Sequence, residues 1–275
     1  MAPGYHRSMR FVGFHICLMI APTLVIAQTP SNPTEASMKK TPVSSAQSSE
    51  QLSIRRVRSG LWVGPQVIRA QIRVQSDQAD SQTVIDALPT LAMGLELWPK
   101  EAIGIYLSGA LGLGAQVDAR RLRDLFVEDE QAEAVIDYNI HHLEAGTRYR
   151  WFSGPAVDAL ALMIGFGLDA RFQSARDQLP AVLLDRMVLG PLASTAVTLP
   201  VASSRGWIRV TARLGAPFFI RESPADSGDP QSFMAYGARL DGSYLVHGRW
   251  SVQLRVDHGA REIEFADTAT RGLGT

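Results

Sequence analysis

Residues 159–172 read Ala-Leu-Ala-Leu-Met-Ile-Gly-Phe-Gly-Leu-Asp-Ala-Arg-Phe. Leu160, Leu162, Ile164, Phe166, Leu168, Ala170 and Phe172 occupy the even positions, and Ala161, Met163, Gly165, Gly167, Asp169 and Arg171 the odd ones. Successive side chains of a β-strand point to opposite faces, so this is a strand with one greasy face and one face of small and charged residues. It runs for about 14 residues, against roughly 5–6 for an ordinary strand and about 9–11 for a tilted strand crossing a bilayer. A soluble sandwich would give its second face to water, with Lys and Glu on it. Gly and Ala beside Asp and Arg instead let a narrow barrel close and pair charges within. The stretch predicts one strand of a transmembrane β-barrel.

The same period of two recurs from residue 53 onward. Ile68, Ala70, Ile72 and Val74 alternate with Arg69, Gln71, Arg73 and Gln75, and Leu91, Met93, Leu95 and Leu97 continue the pattern. Ile103, Ile105, Leu107, Leu111 and Leu113 follow, then Ile208, Val210, Ala212 and Leu214, then Met234, Tyr236, Ala238 and Leu240, then Val252, Leu254 and Val256. Near 134–152 the apolar residues change parity, from Ile136, Tyr138 and Ile140 to Leu143, Ala145, Tyr149 and Trp151. One inserted residue produces such a change, so a β-bulge is expected at His141-His142. The segment near 182–199 has the poorest alternation and contains Pro191.

Connections alternate in length. Ser76 to about Ala87, Asp118 to about Gln131, the stretch opened by Ser174–Leu179, and Glu222–Ser232 read as long. Pro99-Lys100-Glu101, Ser153-Gly154-Pro155, Ala202–Gly206 and His247-Gly248-Arg249 read as short. Outer-membrane barrels have short periplasmic turns and longer outer loops, which orients the chain. Nine strands would end on the outer side, whereas bacterial single-chain barrels have an even count. The expectation is therefore an antiparallel up-and-down barrel over 53–275, with about ten strands intended and nine present. The closing C-terminal strand would be missing, as from a truncated gene record.

The first 27 residues have a different character. His6, Arg7 and Arg10 precede an apolar run from Phe11 to Ile26, and Val25-Ile26-Ala27 suits a signal peptidase. This is the layout of a cleaved secretory signal peptide over 1–27. An uncleaved anchor is the alternative, although the run is short and His15 interrupts it. Residues 28–52 are rich in Ser, Thr, Pro and Gln without apolar periodicity, as in a disordered periplasmic leader.

Bulk composition excludes several classes. Formal charge is +0 and mean hydropathy is +0.01, so no basic surface points to nucleic acid. No stretch after residue 27 approaches the roughly 20 apolar residues of a membrane helix. Cys17 is the only cysteine and would leave with the signal peptide, so neither disulfides nor cysteine-ligated metals are expected. Lys occurs only at Lys39, Lys40 and Lys100; every other basic side chain is Arg, which keeps its charge when half buried and suits ion pairs in a narrow lumen. Arg-rich codon usage explains the bias equally well. Trp62, Trp98, Trp151, Trp207 and Trp250 all fall near predicted strand ends, where an interfacial girdle would put them.

Leu95-Glu96-Leu97-Trp98-Pro99, the glycine-alternating strand Gly109–Gly114, and Glu144-Ala145-Gly146-Thr147-Arg148-Tyr149-Arg150-Trp151 give the chain a family likeness. Over about residues 55–275 it resembles the outer-membrane β-barrel proteins of myxobacteria and related deltaproteobacteria. That resemblance implies a fold and a location in the bacterial outer membrane, and no activity.

A search for chemistry finds no catalytic, cofactor-binding or metal-binding residues to nominate. Asp257-His258 are adjacent in a strand and diverge, which argues against an omptin-like protease. His258 has no evident Ser partner for a lipid A deacylase. His141-His142 diverge likewise and lack a third ligand. The strongest constellation is the inward set Glu96, Glu144, Arg148, Arg150, Asp169, Arg171, Arg209, Arg213, Arg239, Asp241, Arg255 and Asp257. It predicts a lumen ion-pair network, or alternatively a narrow, weakly anion-selective pore. The leading expectation is a structural or interaction protein that is not an enzyme. The alternatives are a small porin-like pore or transporter for small or hydrophobic solutes, and a membrane-embedded hydrolase. Expected partners are outer-membrane lipid and lipopolysaccharide, the barrel-assembly machinery, and periplasmic contacts through the leader, with no nucleic acid and no cofactor.

Overall fold

The computed structural model describes residues 6–24, 59–75, 79–124, 133–156, 159–176, 185–201, 205–223, 229–247 and 250–266. It is an all-β chain of twelve strand segments. In order these are β1 (His6–Leu24), β2 (Ser59–Gln75), β3 (Ala79–Leu97), β4 (Ile103–Gly112), β5 (Ala115–Asp124) and β6 (Glu133–Phe152). They continue with β7 (Ala161–Arg176), β8 (Asp185–Val201), β9 (Gly206–Gly215), β10 (Phe219–Ser223), β11 (Asp229–His247) and β12 (Trp250–Ala266). Every pairing is antiparallel, and sequence neighbours lie side by side. β4 and β5 both lie between β3 and β6, so they are one interrupted stave; β9 and β10 both lie along β8 and form another. Ten staves result, and the ring closes where β12 meets β1. The expected up-and-down barrel is the observed fold.

The nine strands expected over 53–275 are present as the nine staves from β2 to β12. What is corrected is the expected gap in the ring: His6–Leu24, read from sequence as part of a signal peptide, occupies the seam between β2 and β12 and pairs with both. The apolar run hides its own alternation, because Val12, Phe14, Ile16, Leu18 and Ile20 alternate with residues that are themselves mostly small or apolar. The register reveals it. Ile16, Leu18 and Ile20 pair with Val256, Leu254 and Val252 on the outer face of β12, whereas His15, Cys17 and Met19 pair with Asp257, Arg255 and Gln253 on the inner face.

The bulge expected at His141-His142 is also corrected. β6 runs against β7 in one unbroken register from Asp137↔Arg176 to Phe152↔Ala161, and its even positions face inward throughout. The inserted residue lies on the neighbouring stave. Ala110 pairs with His142 but Ala115 pairs with Tyr138, so Leu113-Gly114 carries one extra residue, and Gly114 takes φ 78°, a conformation open to glycine. A second insertion falls between β9 and β10, where Leu192 pairs with Gly215 but Leu189 with Phe219. Pro191 sits opposite it, and its carbonyl accepts a hydrogen bond from Ala216 N. A bulge is where a stave tolerates a residue with no N–H, which explains why β8 stays continuous through Pro191. A third shift lies on β3 opposite Arg69.

The connections read as long are mostly strand. β2 and β3 remain paired out to Gln75↔Asp80, β5 reaches Asp124 and β6 begins at Glu133. Charged residues in those stretches disguise them as loop. They instead build an end of the barrel where the faces exchange character. There Ile68, Ile72, Ile85, Leu88, Ile136, Tyr138, Ile140, Ile263 and Phe265 form a buried apolar cluster inside the barrel. Outside it, Arg69, Gln71, Arg73, Asp137, Glu262 and Glu264 are exposed. Over the rest of the wall the outer face is apolar and open, as at Leu95, Leu107, Leu143, Leu162, Phe166, Leu168, Val210, Leu240 and Leu254. On β7 this belt extends from Leu162 to Phe172, ten rises of roughly 3.3 Å, or roughly 25 Å along the axis at a tilt near 40°.

Candidate functional site: a charged lumen

The middle of the interior is built from residues two apart on neighbouring staves. β6 contributes His142, Glu144, Arg148 and Arg150; β7 contributes Asp169 and Arg171; β9, β11 and β12 contribute Arg209, Arg213, Arg239, Asp241, Arg255, Asp257 and Arg261. Since directly paired residues share a face, the antiparallel registers Glu144↔Asp169, Asp241↔Arg209, Arg239↔Asp257 and Asp241↔Arg255 assemble these side chains in one space.

Glu144, 1% exposed, is the centre, with Arg213 and Arg239 each 3.6 Å away. Arg239 Nε donates to Asp257 Oδ2 at 2.8 Å, and Arg213 Nη2 donates to Asp257 Oδ1. Toward the apolar cluster, Asp169 accepts from Arg171 at 3.3 Å and Arg261 at 3.0 Å, and lies 2.5 Å from His142 Nε2. Toward the short turns, Glu96 accepts from Arg148 at 2.9 Å with Arg209 at 3.6 Å, and Asp241 accepts from Arg255 at 2.6 Å. These groups lie in a protein-lined space where Coulomb terms are strong and each lost partner is expensive. Arg186 and Glu222 form a separate, nearly buried pair beside the apolar cluster.

Inward aromatics complete the filling. Arg255 stacks on Trp62 at 4.5 Å, Arg148 on Tyr106 at 3.9 Å, Arg209 on Trp207 at 4.8 Å and Arg150 on Trp98 at 3.8 Å. Each contact is a cation–π pair in a partly desolvated place. Three of the rings lie over glycines of adjoining staves. A Cβ on Gly94 would overlap Trp62, one on Gly104 would overlap Trp98, and one on Gly167 would meet the Tyr106 hydroxyl. The in-strand glycines therefore provide space inside the barrel.

Among the described residues, two small cavities adjoin these groups. One, about 70 Å³, lies mid-barrel among His142, Asp169, Arg171, Arg213, Arg239, Arg255, Asp257 and Arg261. The other, about 60 Å³, lies nearer the short turns among Glu96, Tyr106, Arg148, Trp207, Arg209 and Asp241. Trp62, Ser108, Arg239 and Arg255 line both, so the cavities adjoin at that waist.

All twelve residues of the predicted inward set face the interior, and eleven of them are joined by the ion pairs above. Arg150 donates to the Glu101 carbonyl at 2.5 Å. Sequence reasoning missed His142, Arg261, Arg186 and Glu222. Arg261 was findable, since it continues the odd register of β12 beyond Asp257. His142 was obscured by the misplaced bulge, and Arg186 by the poor alternation around Pro191. The tryptophans divide. Trp151 and Trp250 are exposed on the outer face near the short turns, with Tyr149 and Tyr244 beside them in exposure, as a girdle requires. Trp62 and Trp98 are buried inside and cover arginines, which the girdle reading did not foresee.

Asp257 is buried while His258 is exposed on the other face. His141 Nδ1 accepts from Gly112 N at 3.2 Å, away from His142. Among the described residues no three His, Cys, Asp or Glu side chains come together as metal ligands do.

The sequence matches no protein-family profile and no curated protein. Among solved structures, the chain is similar to the translocator domain of the autotransporter NalP from Neisseria meningitidis. That likeness has 12% identity and a TM-score of 0.43, covering 93% of this chain and 88% of that one. It is also similar to the outer membrane protease OmpT from Escherichia coli, at 7% identity and a TM-score of 0.25, covering 96% of this chain and 97% of that one. At these identities neither assigns a role to any residue here.

Proposed function

We propose that this chain is an integral outer-membrane β-barrel with a structural or surface-interaction role, closed to bulk solute flow. The observation that carries the reading is the outer belt: Leu162, Phe166 and Leu168 are 48%, 63% and 51% exposed on β7 alone, and comparable side chains are exposed on the neighbouring staves from β2 round to β12. Soluble monomers rarely expose an apolar surface on that scale, and its height matches the apolar band of outer-membrane barrels. Lipid would cover the belt, with lipopolysaccharide against the rim where Arg69 and Arg73 begin. The assembly machinery that inserts such barrels would be a transient partner.

The interior favours a sealed barrel over a pore. Ion pairs and aromatics fill its middle, and the apolar cluster around Ile85 and Leu88, at 1% and 0% exposure, fills one end. Barrels of this strand number are in general filled by side chains.

Purified protein refolded into detergent, then reconstituted into planar bilayers, tests both halves. The expected result is a heat-modifiable, detergent-dependent barrel with electrically silent bilayers. A monomer soluble without detergent would overturn the membrane reading. Steady ohmic channels would overturn the sealed barrel.

A further inference from the structure

The mid-barrel cavity is lined by five guanidinium groups, those of Arg171, Arg213, Arg239, Arg255 and Arg261. The carboxylates reaching them are Asp169, Asp257, Glu144 and Asp241. Toward the short turns, Arg148 and Arg209 share the single carboxylate of Glu96. Among the described residues, seven arginines thus meet five acids across the connected lumen. The remaining stave cannot redress this, because no Asp or Glu occurs between His6 and Leu24. A buried lysine or histidine would shed its charge by losing a proton, but arginine does not. Arg213 Nε is moreover buried with no hydrogen-bond partner among the described residues.

We propose that the mid-barrel cavity binds one small oxyanion of the phosphate, sulfate or carboxylate class. Guanidinium forks pair with the flat or tetrahedral oxygen arrays of such anions two bonds at a time, a geometry no halide offers. The space, about 70 Å³, exceeds what one water needs and is far below the roughly 300 Å³ at which drug-sized pockets begin. It takes the free anion or the head of a slightly larger molecule, and not a nucleotide. The apolar cluster stands on one side of the cavity, so the ligand is held there and not passed through. This site depends only on the lumen geometry, and stands or falls separately from the membrane assignment.

The test uses the full refolded chain in detergent and a low-salt zwitterionic buffer. Inorganic phosphate, sulfate and chloride are titrated separately by isothermal calorimetry, with tryptophan fluorescence as a second readout because Trp62 lines the cavity. Saturable one-to-one binding of phosphate or sulfate is expected, at least tenfold tighter than chloride, and weakened tenfold or more by Arg171→Gln. Arg171 and Arg261 share Asp169, so either can be removed while the acid keeps a partner. Arg261→Gln therefore serves as the second variant should the first not fold. Absence of saturable binding in the unsubstituted protein overturns the site. Chloride binding as tight as phosphate overturns the oxyanion assignment. Undiminished phosphate affinity in a folded variant overturns the cavity as its location.

Discussion

β6 passes through two different surroundings without leaving its register. In its first half Ile136, Tyr138 and Ile140 point inward and are nearly inaccessible, while Val135 and Asp137 are exposed. In its second half the inward positions are His142, Glu144, Arg148 and Arg150, and Leu143, Tyr149 and Trp151 are turned outward. The backbone is the same ladder in both, so only the choice of side chain differs. The first half, apart from Val135 at its start, obeys the rule of a water-soluble sheet, greasy within and polar without. The second obeys the rule of a sheet wrapped in hydrocarbon. The parity change that looked from sequence like a kink in the strand is the boundary between these two environments.

The contrast makes its sharpest claim in the polar half. Glu144→Gln leaves Arg213 and Arg239 facing a neutral group in a desolvated space, and breaking a buried pair in this way costs about 3–5 kcal/mol. Urea titration of the refolded barrel in lipid vesicles measures it. A cost below about 1 kcal/mol would mean that water already screens the network.

A second pair of substitutions probes the outside. Leu168→Arg places a charge in the middle of the belt and should cost about 2–4 kcal/mol in lipid. Gln71→Arg, on the same outer face but beyond the belt, should stay within about 0.5 kcal/mol. Equal costs at the two positions would erase the distinction between the halves.

The gentlest test concerns the seam that both halves share. Cys17, the only cysteine, is the register partner of Gln66. Directly opposed antiparallel residues have Cα atoms about 4.5–5.5 Å apart, within disulfide range. Gln66→Cys should then give an intramolecular cross-link under mild oxidation, seen as a mobility shift reversed by reductant. A folded barrel that fails to cross-link would assign the space between β2 and β12 to some other strand.

The strands of the belt were legible in the sequence because each faces two unlike media, and alternation records that difference directly. The inward charges were legible for the same reason: Asp169 and Arg171 can only be opposite Leu168 and Phe172. What escaped reading was wherever the two media became alike or exchanged sides. Ile68, Ala70 and Ile72 were recognised as a strand, but nothing local says that their apolar face is the inner one while that of Leu91 and Met93 is the outer. The hairpin extensions around Asp80 and Asp124 were read as loops because an outer face in water carries loop-like residues. The apolar run of β1 shows the converse, since a strand with small or greasy residues on both sides has no visible period. The shared cavity and its surplus of arginine depend on which staves adjoin, and adjacency across the ring is not a property of any single segment.

The point where the two halves of the wall meet has a mechanical consequence. On β2 the outer face passes from Val67 to Arg69 in a single pleat. Placed in a bilayer, the barrel could sink by one such step only by drowning a guanidinium in acyl chains. It could rise only by lifting its greasy collar into the headgroups. Either move is some 5 Å of travel at the pitch and tilt of such strands. The chain therefore fixes its own waterline, and a membrane of a different thickness would have to pucker around it.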